Sequence, residues 1–153
     1  MEKGILEKKS KQVHKHFEIN FTQRGNFKLF NDSVKEFLVR NKGKNIVSII
    51  DSIHPLENLN KNIYEIKDHI NLSGYNPLQG PNFVSLTNIY RGSSGIIVLG
   101  LPDGVHPNNK EKEILLKVNI KAYCYNLVPT AIFAASLGLK FKAFGIVQQK
   151  SWF

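Results

Sequence analysis

Five histidines and one cysteine are the side chains of this chain most suited to chemistry. Their spacing limits what that chemistry is. His14 and His16 lie two residues apart, so on a strand both rings face one side. That arrangement suits a weak anion or metal site, or simply an exposed basic edge. His54, His69 and His106 stand alone, and no H-x-x-x-H pair or Cys/His cluster accompanies them, so no metal site is expected. Cys124, inside an apolar run and without a second cysteine, reads as core packing rather than as a nucleophile or half of a disulfide. Trp152 and Phe153 close the sequence, and nothing in it distinguishes an unpacked tail from an interface contact.

The elements that must position these groups follow from periodicity. Residues 17–21 and 27–30 read as short strands, joined as a hairpin around Arg24, Gly25 and Asn26. Asn31, Asp32 and Ser33 can cap a helix to Arg40 with Val34, Phe37 and Leu38 on one face. The apolar run 46–50 has the pattern of a strand covered on both sides, as does 95–100, and 63–70 alternates as a strand. Residues 71–82 hold two Gly, two Pro and three Asn and form a structured loop. Asn108 or Asn109 can cap a helix carrying Ile114, Leu115 and Val118. Residues 120–125 suit a strand, and Pro129 to Gly138 bracket a last helix in the favoured order. Residues 141–147 make a final strand. Strands alternating with helices predict an α/β sheet covered by helices.

Composition bounds the rest. The chain has 153 residues, 42% of them hydrophobic and 22% charged, which fits one globular domain over 1–153 with a flexible basic N-terminus at 1–13. No apolar run is long enough to span a bilayer, and the charged N-terminus lacks a signal core, so the expected setting is cytoplasmic, away from membranes. The net charge of +9 is spread evenly along the chain rather than gathered on one stripe, which argues against a nucleic-acid partner. General attraction for phosphate-bearing ligands remains open.

The fifteen residues Asp68-His69-Ile70-Asn71-Leu72-Ser73-Gly74 through Asn76-Pro77-Leu78-Gln79-Gly80-Pro81-Asn82 resemble the D-H-I-N-L-x-G…N-P-L-x-G-P-N segment of the trimeric purine nucleoside phosphorylase family. Weaker likenesses follow at 83–91, 124–139 and 141–150. The resemblance implies a twisted, mostly mixed sheet flanked by helices, incomplete here at both ends. It also implies a glycosyltransferase reaction of purine salvage: inosine or guanosine and phosphate give the free base and ribose 1-phosphate. No cofactor is implied, inorganic phosphate being the co-substrate, and the family's assembly is a homotrimer.

Residue by residue, the resemblance points to His14, Lys15 and His16 for phosphate, His16 and Gln149 for catalysis, and Asp103, Tyr125, Asn126 and Gln148 for the nucleoside. In this pattern His69 supports the loop, and Asn71 and Asn82 satisfy turn backbone. The family's Gly-rich phosphate loop and its phosphate-binding arginine have no counterpart in this sequence. No glycine occurs in 49–54, where the family has T-N-A-A-G-G, and Asp51 there repels phosphate. Three readings follow: an altered purine nucleoside phosphorylase, an inactive relative that binds a nucleoside or a protein partner, and an unrelated basic α/β module.

Overall fold

The computed structural model describes residues 16–43, 46–75, 89–90 and 94–148. Its elements run β1 (His16–Asn20), α1 (Asp32–Arg40), β2 (Ile46–Pro55), β3 (Ile63–Asn71), β4 (Ile96–Gly100), α2 (Asn109–Lys117), β5 (Ile120–Cys124), α3 (Leu127–Ser136) and β6 (Lys140–Val147). Local signals in the sequence explain most of these bounds. The Asn31 side chain accepts from the Ser33 amide at the start of α1. Asn108 and Glu111 form a reciprocal capping box at the start of α2. Gly138, just past α3, takes φ of +71°, the left-handed turn that ends a helix.

The sheet is mixed and closes on itself. β2 pairs in parallel with β6 over Ile46–Ile53, and β6 pairs antiparallel with the start of β3. β3, β4 and β5 are parallel neighbours, and β5 returns antiparallel to His54 and Pro55 at the end of β2. These pairings complete a ring of five strands, β2-β6-β3-β4-β5, with β1 added in parallel along the first half of β2. Ten residues long, β2 serves two partners on one edge: β1 early and β5 late. Ring closure leaves few free sheet edges.

Two apolar clusters hold the layers. The larger joins Ile19, Val34, Leu38, Val47, Ile49, Val98 and Phe141 to Leu127, Val128, Ala131 and Ile132 of α3. Apolar around most of its circumference, α3 is buried accordingly. The smaller places Leu56, Leu99, Leu101, Ile120 and Tyr123 under Leu115 and Leu116 of α2. Each fully buried aliphatic side chain contributes roughly 1.5–3 kcal/mol, so the ring and α3 depend on one another.

Residues 27–30 do not form the expected strand. Asn26 replaces it: its carboxamide donates to the Glu18 carbonyl at 2.9 Å and accepts from the Asn20 amide at 2.8 Å, satisfying the β1 edge. Phe27 and Phe30, three residues apart, then pack against the core from a loop. His69 does support structure, with Nδ1 2.6 Å from the hydroxyl of buried Tyr90. Asn71 accepts from the Ser73 amide and donates to the Tyr75 carbonyl. Asn82 lies outside the described residues.

One close approach ties α3 to the ring. A Cβ on Gly100 would meet Val128 Cβ, Cγ2 and Cγ1 at 2.7, 2.8 and 2.9 Å. Because Val128 is fully buried, it has no room to yield. Gly100→Ala is expected to lower unfolding free energy by ~1–3 kcal/mol in urea titrations. Adding Val128→Ala should recover part of that loss; strict additivity of the two would show that the helix does not bear on the strand here.

Candidate functional site

The second half of β2 is where side chains capable of recognition collect. Along it, Val47, Ile49, Asp51 and Ile53 are buried on one face, so Ser52 and His54 belong to the other. β5 runs back beside it with His54 opposite Tyr123, and continuing that register sets Tyr125 and Asn126 beside Ser52 and Asp51. The His54 ring stacks on Tyr123 at 4.9 Å with 22° between planes, and lies 5.4 Å from Tyr125. His106, from the loop between β4 and α2, places Nδ1 3.0 Å from the Tyr123 hydroxyl and 3.1 Å from that of Tyr125. The Tyr125 hydroxyl donates to the Val105 carbonyl.

These groups are tuned toward neutrality. Burial, and secondarily the charge of His106, lowers the His54 pKa. Burial pushes Tyr125 up to about 12, with smaller contributions from Tyr123, Asp103 and Cys124, and burial also raises Tyr123. Two neutral phenols and a neutral imidazole offer flat π faces and paired donors and acceptors. Cys124, fully buried with its thiol pKa raised by burial, is no nucleophile. The described residues contain no group of three His, Cys, Asp or Glu able to hold a metal.

The opposite face of β2 carries an internal anion. Asp51 is buried, and its Oδ2 accepts from the amides of Asn126 and Leu127 at 2.9 Å each, where α3 begins. Oδ1 accepts from the Ser52 amide. A helix N-terminus with free N–H groups is a ready seat for an external anion; this carboxylate fills it. Burial nevertheless outweighs these hydrogen bonds and raises the Asp51 pKa from 3.8 to about 6.

Of the residues singled out in the sequence, Tyr125 and Gln148 each neighbour Ser52 on the outer face of β2. Gln148 follows β6, and its Nε2 donates to Ser52 Oγ at 2.9 Å. Asp103 sits on the exposed turn after β4, near enough to raise the Tyr125 pKa. Asn126 is turned to internal partners, with Oδ1 accepting from the Phe30 amide at 3.1 Å. His16 stands apart at the start of β1, with Nε2 2.8 Å from Ser48 Oγ. His14, Lys15 and Gln149 lie outside the described residues. His54, His106 and Tyr123 were not among the sequence's nucleoside candidates. Their only local signal is the two-residue spacing of Tyr123 and Tyr125, which puts both rings on one face of a strand.

No family model and no curated protein matches this chain. Solved structures do. A Schistosoma purine nucleoside phosphorylase in complex with guanosine superposes with a TM-score of 0.60 at 20% identity, covering 69% of this chain and 53% of that one. The Schistosoma mansoni enzyme in complex with inosine gives 0.59 at 20%, covering 69% and 48%. Isoform 2 from the same organism, in complex with cytosine and ribose-1-phosphate, gives 0.57 at 21%, covering 67% and 46%. The chain spans about half the length of the structures it matches. It has the mixed-sheet α/β fold of the purine nucleoside phosphorylases.

The raised pKa of Asp51 has a measurable sign. The folded state holds this proton more tightly than the unfolded chain, so the group's contribution to stability is complete below pH 3.8 and is lost as pH rises through about 6. The loss amounts to ~3 kcal/mol by neutral pH. Asp51→Asn keeps an oxygen for the α3 amides and removes the titration. Between pH 4 and 7 the variant should gain on the wild type by up to ~3 kcal/mol in chemical unfolding. Parallel pH profiles would rule out a buried, titrating Asp51.

Proposed function

We propose that this protein is a purine nucleoside phosphorylase relative that binds a purine nucleoside and does not carry out efficient phosphorolysis. The observation behind this reading is the Asp51 carboxylate on the Asn126 and Leu127 amides. Phosphorolysis needs an anion held against the sugar by positive groups and backbone donors. Here a side chain of the protein occupies the donors at the α3 N-terminus, and at neutral pH it is mostly ionised. An incoming phosphate within ~5 Å would meet a repulsion of about 3 kcal/mol per unit charge at an effective dielectric of 20. At 13–19 the sequence also lacks the arginine that would offset it, and no glycine occurs in 49–54.

Binding of the nucleoside itself is supported by different groups. Tyr125, stacked His54 and Tyr123 supply aromatic faces, while Gln148 and His106 supply amide and imidazole donors and acceptors at the rim. No cofactor takes part, and phosphate enters only as the co-substrate of an active relative. The fold's likeness to phosphorylases that bind guanosine and inosine favours a purine over other aromatic ligands.

Self-association belongs to the same reading. Leu72, Val105 and Ile114, exposed by 59%, 44% and 62%, line one shallow apolar groove beside α2. A second copy of the chain, in a homotrimer by resemblance, would cover it. The described helices include none long and apolar enough to cross a membrane, and a cytoplasmic setting suits purine metabolism.

Incubating the purified chain with inosine and phosphate tests the activity. Hypoxanthine should not rise above the uncatalysed background, while calorimetry should detect inosine binding. Tyr125→Ala should weaken that binding about tenfold, the loss of one aromatic contact. Phosphate-dependent release of hypoxanthine would refute the inactive assignment, and the absence of any inosine binding would refute the nucleoside site. Sedimentation should show an oligomer that Ile114→Glu dissociates; a monomer at all concentrations would remove the assembly from the proposal.

A further inference from the structure

We propose that the purine ligand carries a phosphomonoester, seated between Lys61 and Lys112; this rests on the nucleoside reading above and narrows the class of its ligand. A cavity of about 410 Å³ lies past the ends of β2 and β6, a size suited to a small molecule rather than to a polymer. Its walls include Lys61, Lys112 and three residues with amide side chains, Asn58, Asn62 and Gln148. One carboxylate also lines it, Glu57, and Lys121 holds that at 2.7 Å. Among the described residues neither Lys61 nor Lys112 has a carboxylate within ion-pairing distance. The Lys61 ammonium lies 5.9 Å from the Tyr64 ring centroid, a contact that leaves its charge in place. Two uncompensated cations with three amides form a setting for a dianion, and ammonium groups on phosphate oxygens make strong, charge-assisted hydrogen bonds.

The cavity adjoins the aromatic face. Gln148 belongs to both, lining the cavity while its Nε2 donates to Ser52 Oγ. A base at His54 and Tyr125 can therefore extend its sugar phosphate past Gln148 toward the two lysines. This direction leads away from the α3 N-terminus, where Asp51 disfavours a free phosphate. A phosphate joined covalently to the nucleoside thus has a seat, although the one a separate phosphate would use is filled.

Calorimetric titration of the full chain with inosine 5′-monophosphate, inosine and inorganic phosphate separates the possibilities. The monophosphate should bind about tenfold or more tightly than inosine, with an advantage that shrinks as salt is raised. In the Lys61→Met/Lys112→Met double variant the monophosphate should fall to the affinity of inosine, while inosine itself binds unchanged and so reports an intact fold. Equal affinities in the wild type, or an advantage that survives in the variant, would overturn the phosphate seat and leave the nucleoside site standing. Inorganic phosphate binding without inosine binding would instead overturn the nucleoside site, and this inference with it.

Discussion

The carboxylate of Asp51 on the first amides of α3 organises the region around it. Two residues 75 and 76 positions away in sequence are fixed by one oxygen, each at 2.9 Å. The N-terminus of α3 has no acidic residue in its first turn and no side-chain cap from Asn126. Without Asp51, the amides of Asn126 and buried Leu127 would lose this acceptor, at a cost of ~1–3 kcal/mol for a buried group left unsatisfied. The carboxylate itself is costly to bury, as its pKa near 6 shows. The contact thus exchanges one penalty for another, and its consequence is positional: β2, the β5–α3 turn and α3 are locked in one register. That register sets Tyr125 beside Ser52 and brings Tyr123 onto His54.

Ring closure makes this lock possible. β2 is the long strand that carries β6 on one edge and both β1 and β5 on the other. The transfer of that edge from β1 to β5 occurs between Ile50 and His54, the same stretch that contributes Asp51, Ser52 and His54 itself. Where this edge changes partners, the residues of β2 face β5 instead of β1, while its ladder to β6 continues evenly to Ile53. The site residues gather where the partner changes.

The elements were largely legible in the sequence because their signals are local. Asn31 and Asn108 cap the helices whose starts they mark, Gly138 ends α3, and the apolar runs at 46–50 and 95–100 are buried strands. Residues 27–30 misled because an aromatic-rich segment has strand composition, whereas the pairing was already satisfied by the Asn26 side chain. The site was less legible. The motif around His69 indicated the fold, and His69 indeed serves it through Tyr90. The His54–Tyr123 stack and the Asp51–Asn126 contact join distant segments, and no periodicity encodes which face of which strand will meet. Asp51 read as a charge hostile to phosphate; its second role, as the anion of a helix N-terminus, needed the geometry.

Fold and chemistry differ in how many groups carry them. The core that closes the ring includes twenty buried residues in its main cluster alone, each contributing a small share, so single changes weaken it without redirecting it. An anion seat at a helix end depends on two or three N–H groups with no redundancy. One carboxylate on the neighbouring strand, Asp51, is enough to fill it, and the same group supplies the helix with an acceptor. The chain has the phosphorylase fold at 20% identity, and the side chain that fills the N-terminal seat of α3 also stabilises the turn that forms it.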